Sequence, residues 1–142
     1  MTRGDEPGVP SPPAGRRRLA RHTQAVVFAV LLGLWTWKLV SPVPVPDEVR
    51  SGLDSVGLSL AAAKTLHLLG YALLAFLAGT MPAPRHWRVF LVGLLVLHGV
   101  ATEIVQTFVP NRTGKASDVL IDWNGIALGA LVAQVWDRRR RG

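Results

Sequence analysis

The stretch that decides the fold runs from Lys64 to Asp122 and reads KTLHLLGYALLAFLAGTMPAPRHWRVFLVGLLVLHGVATEIVQTFVPNRTGKASDVLID. It holds two long apolar runs and the start of a third, and each run suits a helix that crosses a bilayer, which needs about 20 residues. Charged and polar side chains nevertheless occur inside these runs. An ionisable group in a membrane span costs about 2.5–3.5 kcal/mol on insertion scales and marks a functional site by default. We therefore interpret these side chains as candidates for one site.

Working outward from this stretch, the sequence has one further apolar run before it, and the third run continues after it. Short polar loops and one longer loop with three alternating prolines join the runs. The sequence therefore predicts an all-α fold, an integral membrane antiparallel four-helix bundle. The predicted spans cover about residues 24–40, 60–81, 89–109 and 119–136.

Residues 1–23 are predicted to form a disordered basic tail, because they are rich in proline and glycine and end in several arginines. Residues 24–136 form the predicted membrane domain, and residues 137–142 a basic C-terminal tail. An arginine-rich segment before an apolar run is also typical of a cleaved signal peptide. No A-x-A cleavage site follows at the right distance, so we expect the first span to be retained.

The positions of the basic residues distinguish a nucleic-acid-binding protein from a membrane protein. The net charge is +7 over 142 residues, a balance that nucleic-acid-binding proteins often show. Here the arginines flank apolar runs instead, which favours membrane lipids as partners and no nucleic acid. The absence of cysteine excludes disulfides and thiolate metal sites.

Basic residues also predict the orientation, because they concentrate on the cytoplasmic side of membrane proteins. With four spans, the two termini and the loop at 82–88 share one side, which carries 11 of the 16 lysines and arginines. We therefore expect a plasma (inner) membrane protein with cytoplasmic N- and C-termini. The polar side chains of the spans would then all lie near the outer face.

Helical spacing places several of these side chains on shared faces. Lys64, His67 and Tyr71 are at positions i, i+3 and i+7 of the second span, and Glu103 and Gln106 are at i and i+3 of the third. In the fourth span Asp118, Asp122, Gly125 and Gly129 follow one stripe. The Gly-x-x-x-Gly pair predicts a close approach by another helix below the two carboxylates.

Structural interpretations remain open for each candidate. Lys64 can extend to the interface, and His67 can be a hydrogen-bonded packing residue. Glu103 can form a structural ion pair with Lys64 or Arg112. Ser117 or Asp118 can cap the fourth helix, which Asp122 is too far along the chain to do.

Two aromatic features and one more histidine receive structural interpretations. Trp35 and Trp37, near the end of the first span, are typical of an interfacial aromatic belt. His98 lies near mid-membrane on a different face from Glu103, and we interpret it as packing against a neighbour.

Taken together, these motifs resemble the VanZ-like family of bacterial membrane proteins over about residues 25–135. The resemblance is carried by Lys64-x-x-His67-x-x-x-Tyr71, Glu103-x-x-Gln106, and Arg112 followed by Ser117-Asp118 and Gly125.

The resemblance implies a multi-pass protein of the cell envelope. The family's namesake is associated with low-level resistance to the glycopeptide antibiotic teicoplanin, so antibiotic resistance is an implied role. This chain departs from the family pattern in two places. Ala63 stands where the family usually has Asp, and Asp122 where it often has Asn. An acidic Asp122 can replace, from another helix, the charge that is missing beside Lys64.

Two functions fit these observations best. In the first, the cluster binds an envelope or lipid-linked molecule, with Lys64, Arg112 and Lys115 on its anionic groups and Tyr71 and the tryptophans along its lipid portion. In the second, the protein is an envelope enzyme with catalytic candidates His67, Glu103, Asp118 and Asp122, with or without a divalent metal. A proton or ion relay is a weaker third.

No local metal motif such as H-E-x-x-H is present, so the sequence predicts no metal site and identifies no cofactor. The oligomeric state is equally open. The predicted ligand-binding residues are Lys64, His67, Tyr71, Glu103, Gln106, Arg112, Ser117, Asp118 and Asp122.

Overall fold

The computed structural model of the protein describes residues 14–42, 58–110, 112 and 114–140. Within those residues it is all-helical, without strands, and each helix holds a segment long and apolar enough to cross a membrane. The predicted all-α membrane fold is thereby confirmed. The helices are α1 (Ala14–Val40), α2 (Leu58–Thr80), α3 (Arg85–Gln106) and α4 (Ala116–Arg139).

The first helix is longer than the span that apolarity predicts. α1 begins at Ala14, so residues 14–23 are helical although they were assigned to a disordered tail. Arginine, leucine and alanine are strong helix formers, and they extend a helix whose apolar part is already formed. Residues 1–13 of that predicted tail lie outside the described residues, as do residues 43–57 of the first predicted loop.

The ends of α3 and α4 also differ from the apolar runs. α3 begins at Arg85 and ends at Gln106, although the apolar run continues to Val109. The residues after Gln106 form i→i+3 hydrogen bonds, such as Phe108 N to Val105 O at 3.0 Å. This tighter turn redirects the chain toward α4.

Hydrogen bonds at one end of the bundle establish the antiparallel arrangement. The Gln24 side chain, in α1, donates to the carbonyl oxygen of Leu77 at 3.0 Å and contacts the Thr80 hydroxyl at 3.1 Å, both near the end of α2. Arg88, in the first turn of α3, pairs with Asp137, in the last turn of α4. The starts of α1 and α3 therefore meet the ends of α2 and α4.

At the opposite end, Arg112 holds the end of α1. Its Nη2 donates to the Lys38 carbonyl oxygen at 2.8 Å and its Nε to that of Ser41 at 3.1 Å. The last carbonyls of a helix have no partner within the helix. Arg112 supplies donors to two carbonyls at this end and ties it to the α3–α4 connection.

The closest helix pair is α2 with α4. A Cβ added at Gly125 would collide with the Leu68 carbonyl oxygen, and one at Gly129 with that of Ala72. The two glycines thus let the α4 backbone lie directly on α2, as the Gly-x-x-x-Gly spacing predicts.

Apolar side chains cover both the interior and the outside of the bundle. Phe28, Leu74 and Leu95 belong to the buried core, while side chains such as Leu97 and Leu131 are more than half exposed. An apolar outer surface on four long helices is the surface that lipid tails contact. The polar side chains buried in the interior are His67, Thr102, Glu103, Gln106 and Asp122.

Candidate functional site

Three helices each bring one ionisable side chain to a common point. The Nδ1 atom of His67 (α2) lies 2.9 Å from Oδ1 of Asp122 (α4) and 4.0 Å from Oε1 of Glu103 (α3). All three side chains are buried, and Asp122 has no exposed surface. We call His67, Glu103, Gln106 and Asp122 the polar cluster.

The helix register explains this convergence. His67 lies nine residues after the start of α2, Asp122 six residues after the start of α4, and Glu103 three residues before the end of α3. At a rise of about 1.5 Å per residue, all three lie within about 14 Å of the same end of the bundle. We call this the cluster end. The close approach at Gly125 brings Asp122, one turn earlier in α4, against α2.

Glu103 also orients the start of α4. Its Oε2 accepts a hydrogen bond from the backbone N–H of Lys115 at 2.8 Å. Lys115 is the N-cap of α4 and its own side chain makes no capping bond. A carboxylate from α3 therefore supplies the acceptor that the free N–H groups of a helix start require.

The interpretation of Ser117 or Asp118 as a helix cap was wrong, because α4 begins three residues earlier than the apolar run suggests and Lys115 is its N-cap. Both residues lie in the first turn, where the Ser117 hydroxyl donates to Asp118 Oδ1 at 3.2 Å. Asp118 is half-buried and acts on the cluster only through its charge.

Several polar atoms of the cluster have no hydrogen-bond partner among the described residues. They are Oε1 of Glu103, Nε2 of Gln106 and Oδ2 of Asp122, and all are buried. A buried polar atom without a partner costs about 1–3 kcal/mol. The cluster therefore offers unused ligand and hydrogen-bonding atoms on both carboxylates and on the amide.

A second set of hydrogen bonds runs beside the cluster, toward mid-membrane. The Thr36 hydroxyl donates to the Leu32 carbonyl oxygen at 2.7 Å and so accepts from Nε2 of His98 at 2.9 Å. His98 Nδ1 is then an acceptor for the Tyr71 hydroxyl, 3.0 Å away. Tyr71 also lies 3.3 Å from the Thr102 hydroxyl. His98, interpreted from sequence as packing only, thus links three helices by hydrogen bonds.

Trp35 of α1 covers the cluster from the side. Its indole meets the rings of His67 and Tyr71 edge-on, with ring centroids 6.1 Å apart in both pairs. Trp35 is therefore half-buried against α2, whereas Trp37 is 67% exposed. The assignment of both to an interfacial belt stays a prediction. Tyr71 is fully buried and does not border lipid.

The basic side chains of the candidate set form no ion pair with the carboxylates among the described residues. Neither Lys64 nor Arg112 forms an ion pair with Glu103 in the part of the chain that the structure describes. Burial lowers the pKa of the Arg112 guanidinium, and the charge of Glu103 opposes this shift only in part. Arginine nevertheless stays a cation in proteins, and this one donates to the carbonyl oxygens of Lys38 and Ser41. Lys64 is half-buried one turn before His67, and the Lys115 side chain is exposed.

The residues around the site that the sequence analysis missed are Thr36 and Thr102, and it gave Trp35 no contact with His67. Threonines and tryptophans are common in spans, so their residue types carry little signal. The spacing of His98 and Thr102, four residues apart on α3, was the one available indication.

The ligand atoms of His67, Glu103 and Asp122 lie within 4.8 Å of one another, so these residues could hold a metal ion. The sequence analysis predicted no metal site. The three possible ligands lie on three different helices, so no local spacing in the sequence brings them together. The same arrangement places an imidazole between two carboxylates, which suits proton transfer.

Comparison with known proteins supports the resemblance seen in the motifs. The family model described as VanZ/LLP1 matches residues 20–137, which is most of the chain and includes every residue of the polar cluster. No curated protein matches this chain. No solved structure matches it either. On the family match, the chain belongs to the VanZ-like family.

Proposed function

We propose that this protein is a plasma (inner) membrane protein of a bacterial envelope, with cytoplasmic N- and C-termini, whose polar cluster binds or acts on a cell-envelope molecule. The excess of basic residues at the end opposite the cluster supports this orientation. The cluster end would then face outward, toward envelope molecules and lipid-linked precursors. The contacts of α1 with the rest of the bundle, such as those of Trp35 with His67 and of Arg112 with the Lys38 carbonyl, support a retained first span.

The observation that carries the proposal is the buried His67–Asp122–Glu103 arrangement, in which neither Glu103 nor Asp122 forms an ion pair with a lysine or arginine among the described residues. A cluster that served only to hold the bundle together would pair each carboxylate with a lysine or arginine. Here Arg112 holds the end of α1 instead, and buried carboxylate oxygens lack partners. Buried groups that cost stability and converge on one point are typical of functional sites.

A second candidate function, an envelope enzyme, is favoured by the contact between His67 and Asp122. A carboxylate 2.9 Å from Nδ1 can hold a neutral imidazole with its proton on Nδ1, which leaves Nε2 free to accept a proton. Glu103 provides a second carboxyl group for acid–base work. In this candidate His67 is the base and Asp122 positions it.

Both candidate functions are tested by expressing the protein in a teicoplanin-susceptible Gram-positive host and measuring its resistance to teicoplanin. We expect the wild-type protein to raise the teicoplanin concentration needed to stop growth, and His67→Ala to abolish that increase while accumulating normally in membranes. His86→Ala, an exposed histidine at the opposite end, is the matched control and should behave as wild type. Full resistance with His67→Ala would contradict the proposed site, and no increase with the wild type would contradict the resistance role.

A further inference from the structure

We infer that His67, Glu103 and Asp122 form a binding site for one divalent metal ion. The inference rests on the proposed function, because it concerns the same residues, and it names the chemistry that they would use. Its first support is geometric, since an imidazole nitrogen and two carboxylate oxygens lie within 4.8 Å of one another.

The distances fit a metal centre after a small adjustment. Ligand atoms on a common ion at about 2.0–2.2 Å lie about 3–3.5 Å from one another. The His67 Nδ1–Asp122 Oδ1 separation of 2.9 Å, a hydrogen bond here, lies just below this range. The His67–Glu103 separation of 4.0 Å requires a side-chain shift of about half an ångström, which a rotation of the glutamate supplies.

The charges favour a divalent ion over a protein cation. Two carboxylates and a neutral imidazole carry a total charge of −2 when the carboxylates are ionised, and one divalent ion cancels it. No lysine or arginine pairs with these carboxylates within the described part of the chain. Buried charges in proteins are paired or coordinate metals.

The atoms without partners supply a second, independent observation. Oδ2 of Asp122 and Oε1 of Glu103 are buried and make no hydrogen bond among the described residues, so both are available as ligands. The buried Gln106 amide, one turn from Glu103 on the same face of α3, also lacks a partner for Nε2. A water molecule or an anion bound to the metal would accept a hydrogen bond from Nε2 of Gln106.

The donor set indicates the class of metal and of ligand. One nitrogen and two oxygens suit Zn²⁺ or Mn²⁺, and the chain has no cysteine to select a softer ion. Metal sites with three protein ligands and an open position are typical of catalytic centres. The open position would take a water molecule or an anionic oxygen, such as a phosphate or carboxylate of an envelope molecule. Coordination through Nδ1 of His67 requires its proton to leave or to move to Nε2.

The experiment measures metal binding by the full-length protein in detergent, purified without a polyhistidine tag. The protein is stripped with chelator, equilibrated with Zn²⁺, and assayed for bound metal by mass spectrometry. Replacement of the bound Zn²⁺ by Co²⁺ gives a visible absorption spectrum that reports the coordination geometry of the metal. The variants are His67→Ala, Asp122→Asn and Glu103→Gln, and the matched control is His98→Ala, a half-buried histidine without a carboxylate beside it.

We expect one tightly bound Zn²⁺ per chain in the wild type and in His98→Ala. Each ligand variant should bind at least about 100-fold more weakly, since loss of an outer partner alone typically costs 10–100-fold. Absence of stoichiometric binding in the wild type, or unchanged affinity in His67→Ala and Asp122→Asn, would overturn the inference. Loss of resistance in His67→Ala together with no metal in the wild type would overturn the metal site and leave the proposed function standing on proton chemistry.

Discussion

Asp122 is the residue whose contacts differ most from the sequence-based expectation. The resemblance to the VanZ-like family suggested that this aspartate balances Lys64. The structure places it against His67 instead, with one oxygen bonded and the other without a partner among the described residues. The carboxylate of Asp122 therefore belongs to the polar cluster and does not pair with Lys64.

The substitution Asp122→Asn separates a functional from a structural role. The amide keeps the size and one hydrogen bond to His67, and it removes a buried charge. We expect membrane accumulation and thermal midpoint to change little or to rise, while resistance and metal binding fall. The measurement is thermal unfolding of the purified protein in detergent. A large loss of stability, about 3–5 kcal/mol, would instead identify a structural ion pair.

At the residue scale, the sequence could predict which polar side chains face inward but not which of them meet. The spacing rules placed His67, Glu103 and Asp122 on inner faces because each lies in a clear helical pattern. The sequence also assigned Arg112 to the cluster, from its loop position and the family motif, and it did not predict the contacts of Thr36 and Trp35 of α1. Contacts between helices depend on their rotation and depth, which are properties of packing that a single helix does not encode.

At the element scale, the α2–α4 contact depends on two small positions of α4. We expect Gly129→Val to lower the stability of the bundle by about 1–3 kcal/mol, the usual cost of overpacking, because the side chain would meet the backbone of Ala72. Thermal unfolding in detergent measures the loss. Gly93→Val is the matched control, since a Cβ at Gly93 meets nothing within 4 Å. Equal stability of the two variants would contradict the close packing of α2 on α4.

Substitutions at Arg112 and Lys115 test how α1 is attached to the rest of the bundle. Arg112→Ala removes two hydrogen bonds to the end of α1, and at about 0.5–1.5 kcal/mol each we expect a drop in thermal stability of about 1–3 kcal/mol. Lys115→Ala keeps the backbone N–H that Glu103 accepts and should unfold as the wild type does. A larger loss of stability from Lys115→Ala than from Arg112→Ala would contradict the anchoring of α1 by Arg112.

Apolarity alone predicts where each helix lies in the sequence but not the residues at which it begins and ends. The apolar runs located all four helices, but polar residues extend α1 and α4 beyond them and a tight turn ends α3 before Val109. Hydropathy identifies the part of a helix that lipid must cover. The ends are determined by hydrogen bonds, such as that of Glu103 with Lys115, which join distant parts of the chain.

At the scale of the whole molecule, the bundle is polar at one point of its interior and apolar over most of its outer surface. The fold class was predictable because four long apolar runs allow few alternatives to spanning helices. The orientation is a separate prediction, from the distribution of arginines. It decides whether the cluster end meets envelope molecules or the cytoplasm.

The most direct test of the outward-facing cluster is cysteine labelling in intact cells, which the cysteine-free chain makes unambiguous. Single cysteines replace Ala116, exposed at the start of α4 beside the cluster, and His86, exposed at the opposite end. We predict that a membrane-impermeant maleimide labels Ala116→Cys in intact cells and His86→Cys only after the cells are opened. The reverse pattern would place the cluster on the cytoplasmic side and contradict its action on an envelope molecule.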